Sequence, residues 1–376
     1  MAACRSRRIF FVSQTLTEGT ETVKSSGPND GELGRPSSLP LASALVLASV
    51  VGGCGPQVEE PAHVVGPPAT AVVPPPTAVP TMTASTTAPP ADAGAPEPTT
   101  VARPSPCPDG MAFVDAVHCP DTRFVRVGLT CLRKDSNNPN NLTICHEFRP
   151  GQRCSVDKRR QRYCIDRYEY PNQKGGHPPV MVSAYDAAGL CAEQGKRLCW
   201  ESEWTAACEG PDLKPFPYGY QRSGKHCNID NPYKHPSLDK VHSHSNAVRG
   251  PELTRLDQSV PSGSMETCKS DFGVYDLTGN FDEWVFTERP RGKSKWAGLK
   301  GGAWGYVRNA CRPITTSHAA RWSYYFIAFR CCKDADPAAL EPPPDDGIPL
   351  WQPPPVPRPK HPAGKPLDRG WTPGMK

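Results

Sequence analysis

The chain has 376 residues, with 46 prolines, 16 cysteines and a formal net charge of +5 from 43 Lys+Arg against 38 Asp+Glu. So mild a balance speaks against nucleic acid as a partner, since such binders usually carry a concentrated basic face. One short apolar run near the N-terminus, no sustained heptad and no repeat of roughly 20–50 residues exclude a multi-pass membrane protein, a coiled coil and a helical repeat array.

In chain order, residues 1–54 read as a signal segment. Residues 36–58 carry no charge, and Leu39–Val51 is apolar but short for a bilayer span. This run ends in Val51-Gly52-Gly53-Cys54. Small residues before a cysteine resemble a bacterial lipoprotein signal, in which the cysteine becomes the acylated N-terminal residue. An ordinary signal peptide or a single anchor helix would share most of these features. On the lipoprotein reading the protein is exported, anchored through Cys54 to a bacterial membrane, the outer one, and faces the periplasm or the cell surface.

Residues 55–106 hold 14 of the prolines and few large apolar side chains. Such a segment cannot repay its ordering entropy by burial, so a disordered tether is expected. Extended at ~3.1 Å per residue it would reach roughly 160 Å. Residues 336–376 hold 13 more prolines and read as a disordered tail. Between these segments, residues 107–335 are long enough for one sizeable domain.

Fourteen of the cysteines fall within 107–335, and no CxxC pair occurs. An even set of scattered cysteines points to as many as seven disulfides in an oxidising compartment. Free buried cysteines acting as small hydrophobes are the alternative.

Within the domain, residues 107–164 read as short strands and cysteine-stapled loops, and residues 163–169 as a strand. Ser183 caps a helix that runs to about Gln194, with Asp186 near its positive end and Gly195 closing it. A second helix over 201–208 places Trp204, Ala207 and Cys208 on one face, and Gly210 ends it. Few helical periods follow. The expectation is an α+β domain of low regular content.

Four stretches in order resemble the formylglycine-generating enzyme family, the sulfatase-modifying-factor domain. They are Cys164-Ile-Asp-Arg-Tyr-Glu169, Gly195-Lys-Arg-Leu-Cys-Trp-Glu-Ser-Glu-Trp204, Phe272-Gly-Val-Tyr-Asp-Leu-Thr-Gly-Asn-Phe-Asp-Glu-Trp284, and Lys300-Gly-Gly-Ala-Trp304 leading to Phe329-Arg330. The resemblance covers roughly residues 107–335. It implies a single domain, distantly like C-type lectin domains. Cys199 and Trp200 stand where the family usually has Pro-Thr. The second helix therefore lacks its usual hydroxyl cap, worth about 1 kcal/mol, unless a bridge from Cys199 compensates.

The resemblance also implies sites. Asp276, Gly279, Phe281 and Glu283 fall where the family binds Ca²⁺, a hard ion that takes carboxylate and carbonyl oxygens. A plain turn with Glu283 paired to a Lys or Arg is the alternative. A second family calcium site maps half of its ligands onto Asn228 and Ile229. The family enzyme oxidises a sulfatase cysteine with O₂ and a Cu(I) ion held by two cysteines, with a serine nearby; soft thiolates suit Cu(I). Here Ala303 takes the serine position and Tyr306 the first cysteine position; Cys311 alone keeps its type. The remaining candidate catalytic thiol, Cys311, has a structural disulfide as its other reading, and copper oxidation is doubtful. The resemblance further places Cys191 opposite Cys331, with Cys332 as a substitute partner. His242 and His244, near His235 and His226, read as a solvated cluster before a metal site.

Three functions fit this sequence. One is a tethered domain without oxidase chemistry that binds a protein or glycan ligand. The second is a formylglycine-generating or related metal-dependent oxidase acting on protein cysteine. The third is a stapled scaffold of the cell envelope.

Overall fold

The computed structural model describes residues 104–120, 127–138, 142–151, 153–362 and 365–375. The chain divides into residues 1–92 and 93–376, and every described residue belongs to the second unit. Cys54 and the segment 55–103 lie outside the described residues. No helix among the described residues is long and apolar enough to cross a membrane.

The strands are β1 (Met111–His118), β2 (Thr130–Asp135), β3 (Ile144–Arg149), β4 (Arg159–Asp166), β5 (Arg197–Leu198), β6 (Asp282–Arg291), β7 (Lys295–Lys300), β8 (Ile314–Thr315), β9 (Ile327–Phe329) and β10 (Cys331–Asp334). The helices are α1 (Ala184–Glu193), α2 (Glu201–Glu209), α3 (Leu238–Val241) and α4 (Asn246–Leu256). One four-stranded sheet runs β1-β4-β10-β5, a second runs β8-β7-β6-β9, and β2-β3 form a separate antiparallel pair. Period-two alternation in β1 sends Ala112, Val114 and Ala116 into the core beside Tyr163 and Ile165 of β4. In the second sheet β6 pairs antiparallel with β7 and parallel with β9.

Local chemistry sets both expected helices. The Ser183 hydroxyl accepts from the Asp186 N–H, and the Asp186 carboxylate accepts from the Ser183 N–H, a reciprocal capping box. At α2 the Trp200 side chain offers no cap, and the Glu288 carboxylate takes the missing hydroxyl's part by accepting from the Ser202 N–H at 3.1 Å; two further contacts hold the start of the helix. Glu203 accepts from the Trp200 N–H at 2.8 Å, and Cys199, just before the helix, is bonded to Cys332. α4 departs from the expectation of few helices beyond residue 210. Gly250-Pro251 reads as a breaker in the sequence, yet Leu253 and Leu256 bury against Trp371 and Phe281 in one apolar cluster. Tertiary burial outweighs the weak local propensity.

Seven disulfides join the fourteen domain cysteines. Cys191 of α1 is bonded to Cys331 across 140 residues of chain. Cys199 is bonded to the adjacent Cys332 across 133 residues. Neighbouring residues of a strand face opposite sides of the sheet. Cys331 accordingly enters the apolar cluster around α1 and Trp200, and Cys332 the cluster around α2 and β1. Each long loop closure contributes up to ~5 kcal/mol in the chain-entropy account.

The tail departs from the disordered segment expected over residues 336–376. Arg160 of β4 donates its backbone N–H to the Pro349 carbonyl at 2.9 Å and accepts from the Trp351 N–H at 2.8 Å, and the Trp351 ring meets Trp200 edge-on at 6.3 Å. His361 and the Asp368 N–H both reach the Asp186 carboxylate at 2.8 Å. Trp371 is 3% exposed and exchanges backbone hydrogen bonds with Val180. Proline limits the entropy lost on ordering, and a few buried aromatic anchors suffice to hold such a strap.

Candidate functional site

Three of the family-like motifs meet on one carboxylate. Glu283, at the start of β6, accepts from Arg330 Nε at 2.7 Å and Nη2 at 2.6 Å. The Trp204 indole donates to the same carboxylate at 2.9 Å. Both charged side chains are almost fully buried, at 0% and 1% exposure. Arg330 also donates to the Tyr275 carbonyl at 2.9 Å. Asp166, from the first motif, takes Lys196 at 2.7 Å and the Cys331 N–H at 3.2 Å. These motif residues form a buried polar lattice that clamps β4, α2, β6 and β10 together.

Glu283 is thus the counter-ion of Arg330, and both its oxygens are engaged. Asp276 lies in the same region with a positive φ of 57°. Its Oδ2 accepts from the Gly263 N–H at 2.7 Å, while its buried Oδ1 has no partner. Burial, then the negative charge of Glu169, pushes the Asp276 carboxyl well above the usual carboxylate range. Glu169 accepts from Ser262 at 2.6 Å and from Asn280 at 3.0 Å. Burial raises it too, against the lowering effect of Arg330. Gly279 has φ +83°, and a Cβ there would meet the Asn228 carbonyl at 2.3 Å and Ile229 at 2.4 Å. The two stretches expected to hold calcium therefore touch. The Asn228 carbonyl accepts from the Asn280 N–H, and its amide donates to Gln258 and Asn280. Phe281 packs its ring edge-on to Trp304 at 5.5 Å. Among the described residues no three His, Cys, Asp or Glu side chains converge as a ligand set. The unpartnered Asp276 oxygen fits an oxygen-seeking cation, whereas Glu283 is spent on Arg330.

The loop that would carry copper has different contents. Cys311, the candidate catalytic thiol, is bonded to Cys208 of α2, with Cα atoms 5.5 Å apart and both residues 0% exposed. That corrects the catalytic expectation: the sulfur is covalently committed, in keeping with its alternative reading. Its carbonyl accepts from Lys300 Nζ at 2.6 Å. Burial pulls Lys300 down to about 7. Ala303 is buried, and Asn309 donates its amide to the Ala303 carbonyl, closing the loop on itself. The Asn309 side-chain oxygen accepts from Arg222 at 2.7 Å, and Arg222 pairs with Asp230 at 2.6 Å.

Tyr306 is held by the β2-β3 pair. Its hydroxyl donates to Asp135 of β2 at 2.6 Å. His146 Nε2 of β3 lies 2.7 Å from the same oxygen. The single hydroxyl proton goes to the carboxylate, so the imidazole is the donor in that contact. Arg222 covers the Tyr306 ring at 5.5 Å. Burial, then the bond to Asp135, pushes Tyr306 up to about 12, so it is a neutral hydroxyl at pH 7. The partners on β2 and β3 were not foreseen from sequence, because they stand 171 and 160 residues from Tyr306 and no local pattern links them. Asp282 accepts from the Gly302 N–H at 3.2 Å.

The match to a family model now gives this geometry a context. The model for the sulfatase-modifying factor enzyme 1-like domain covers residues 127–335. The chain belongs to this family. An inactive C-alpha-formylglycine-generating enzyme 2 of Bos taurus is 31% identical over 129 residues, 34% of this chain and 38% of that protein. The formylglycine-generating enzyme of Bos taurus is 29% identical over 110 residues, 29% of this chain and 26% of that protein. The similarity thus spans well under half the length of these curated relatives. Among solved structures, that of PvdO from Pseudomonas aeruginosa aligns with a TM-score of 0.32 and 18% identity, over 64% of this chain and 100% of that one.

Proposed function

We propose that this chain is a non-catalytic member of the family that works as a binding module outside the cytoplasm. One observation carries the reading: the only family-type copper cysteine, Cys311, is bonded to Cys208, while Tyr306 and Ala303 fill the other two positions. A neutral phenol is a poor ligand for a soft ion. Reduction of the Cys208–Cys311 bond would release two thiols, but both are fully buried and lie out of reach of a protein substrate. The name of the Bos taurus inactive relative agrees with loss of activity on this fold.

Seven disulfides favour an oxidising compartment. With the lipoprotein-like segment ending at Cys54, they support export and attachment to the outer membrane of a bacterium, with residues 55–106 as the spacer. We assign calcium to Asp276, with the carbonyls of Gly279 and Phe281 as its partners. The unpartnered buried oxygen and the crowding of Glu169, Asp276 and Glu283 around Arg330 support it. The ion would supply positive charge to a region with three carboxylates and one guanidinium. The functional reading is tested by offering the folded chain Cu(I), O₂ and a cysteine-containing sulfatase peptide; no stoichiometric copper binding and no oxygen uptake are expected.

A further inference from the structure

Beside the Tyr306 latch lies a cavity of about 380 Å³ between the β2-β3 pair and the loop that carries Asn309. Leu129, Ile144, Phe148, Phe216 and Ala310 give it apolar walls. Lys134 of β2, Arg222 and Arg308 also line it, and among the described residues no Asp or Glu does. Arg222 is neutralised by Asp230. Lys134 and Arg308 are exposed and form no ion pair among the described residues.

We propose that this cavity binds a small amphipathic anion: an unbranched medium-chain carboxylate, its chain in the apolar slot and its head on Lys134 and Arg308. This assignment rests on the binding-module reading and gives that reading a ligand class. An apolar slot with a few placed polar groups is the usual form of a small-molecule site, and this volume lies near the lower end of the range. At ~30 Å³ per water-sized group it admits about a dozen heavy atoms, the size of decanoate. A peptide fits the lining less well. Its amides would need partners, and the uncharged polar side chains present are Thr130, Thr143 and Asn309. Asn309 already serves the Ala303 carbonyl and Arg222. Burying unpaired amides carries a cost that an alkyl chain avoids.

Titration calorimetry of the full chain with decanoate, 1-decanol and decyltrimethylammonium tests the assignment. Decanoate should bind at a single site. Decanol should bind at least tenfold more weakly, and the cation should not bind. The double variant Lys134→Gln/Arg308→Gln alters two exposed side chains, so the fold should survive. It should weaken decanoate about tenfold and leave decanol unchanged. Ala310→Phe, checked for folding by circular dichroism, should block both. No saturable decanoate binding by the folded wild type, or equal binding of the anion and the cation, would overturn the assignment. If the copper and oxygen assays stay negative in that case, the non-catalytic reading stands and only the ligand class falls. Oxygen-dependent peptide turnover would instead overturn the non-catalytic reading.

Discussion

Glu283 and Arg330 form a two-pronged ion pair at 2.6 and 2.7 Å with almost no solvent exposure. Between them they tie the start of β6 to the junction of β9 and β10. A buried guanidinium left alone is costly, so removing one partner damages more than the pair itself contributes. Glu283→Ala should lower unfolding stability by about 3–5 kcal/mol in urea titrations. The double variant Glu283→Met/Arg330→Met should be less destabilised than Glu283→Ala alone. A double variant worse than the single one would contradict this account of the pair.

The same pair changes how the calcium assignment must be tested. Glu283→Ala would destabilise the domain with or without an ion. Asp276→Asn is the cleaner probe, because it keeps the size of the side chain and removes the charge. Wild type should melt higher in millimolar Ca²⁺ than in excess EDTA, through stabilisation of the folded state by a bound ion. Asp276→Asn should lose that difference. Superimposable wild-type melting curves in Ca²⁺ and EDTA would remove calcium from the site.

The disulfide pattern has a geometric test. Cys331 and Cys332 are neighbours but enter different apolar clusters. Cys331→Ala should therefore leave Cys332 bonded to Cys199, with Cys191 as a buried free thiol. Non-reducing peptide mapping reads this directly. A Cys191–Cys332 peptide would show that the two positions are interchangeable.

Legibility from sequence followed the range of the interaction. The Ser183 cap is written within four residues and is found as expected, and the Asp186 carboxylate, expected only as a charge at the positive end, closes it into a capping box. The motifs marked the family because their order and spacing survive in the linear chain. The pairing of Glu283 with Arg330 spans 47 residues, and the hold of Asp135 and His146 on Tyr306 spans 171 and 160. No local pattern encodes such contacts. α4 was hidden by Gly250-Pro251, and the tail by its prolines; in both cases burial of a few apolar side chains decides the structure. Trp371 is the anchor the two share, packed with Leu253 and Leu256 of α4.

Trp371→Ala should consequently cost about 3–5 kcal/mol, the range for a large buried aromatic. It should also make the tail susceptible to limited proteolysis ahead of the domain. Unchanged stability together with an unchanged digestion pattern would mean that the strap contributes nothing to the fold in solution.

The central claim is that the copper chemistry of the family is absent here because Cys311 is committed to Cys208. The most direct measurement is oxygen uptake by the folded chain with one equivalent of Cu(I) and a cysteine-containing sulfatase peptide, followed by mass analysis of the peptide. The account predicts no uptake above a protein-free control and no conversion of cysteine to formylglycine. Formation of formylglycine that disappears in Cys311→Ser would contradict it.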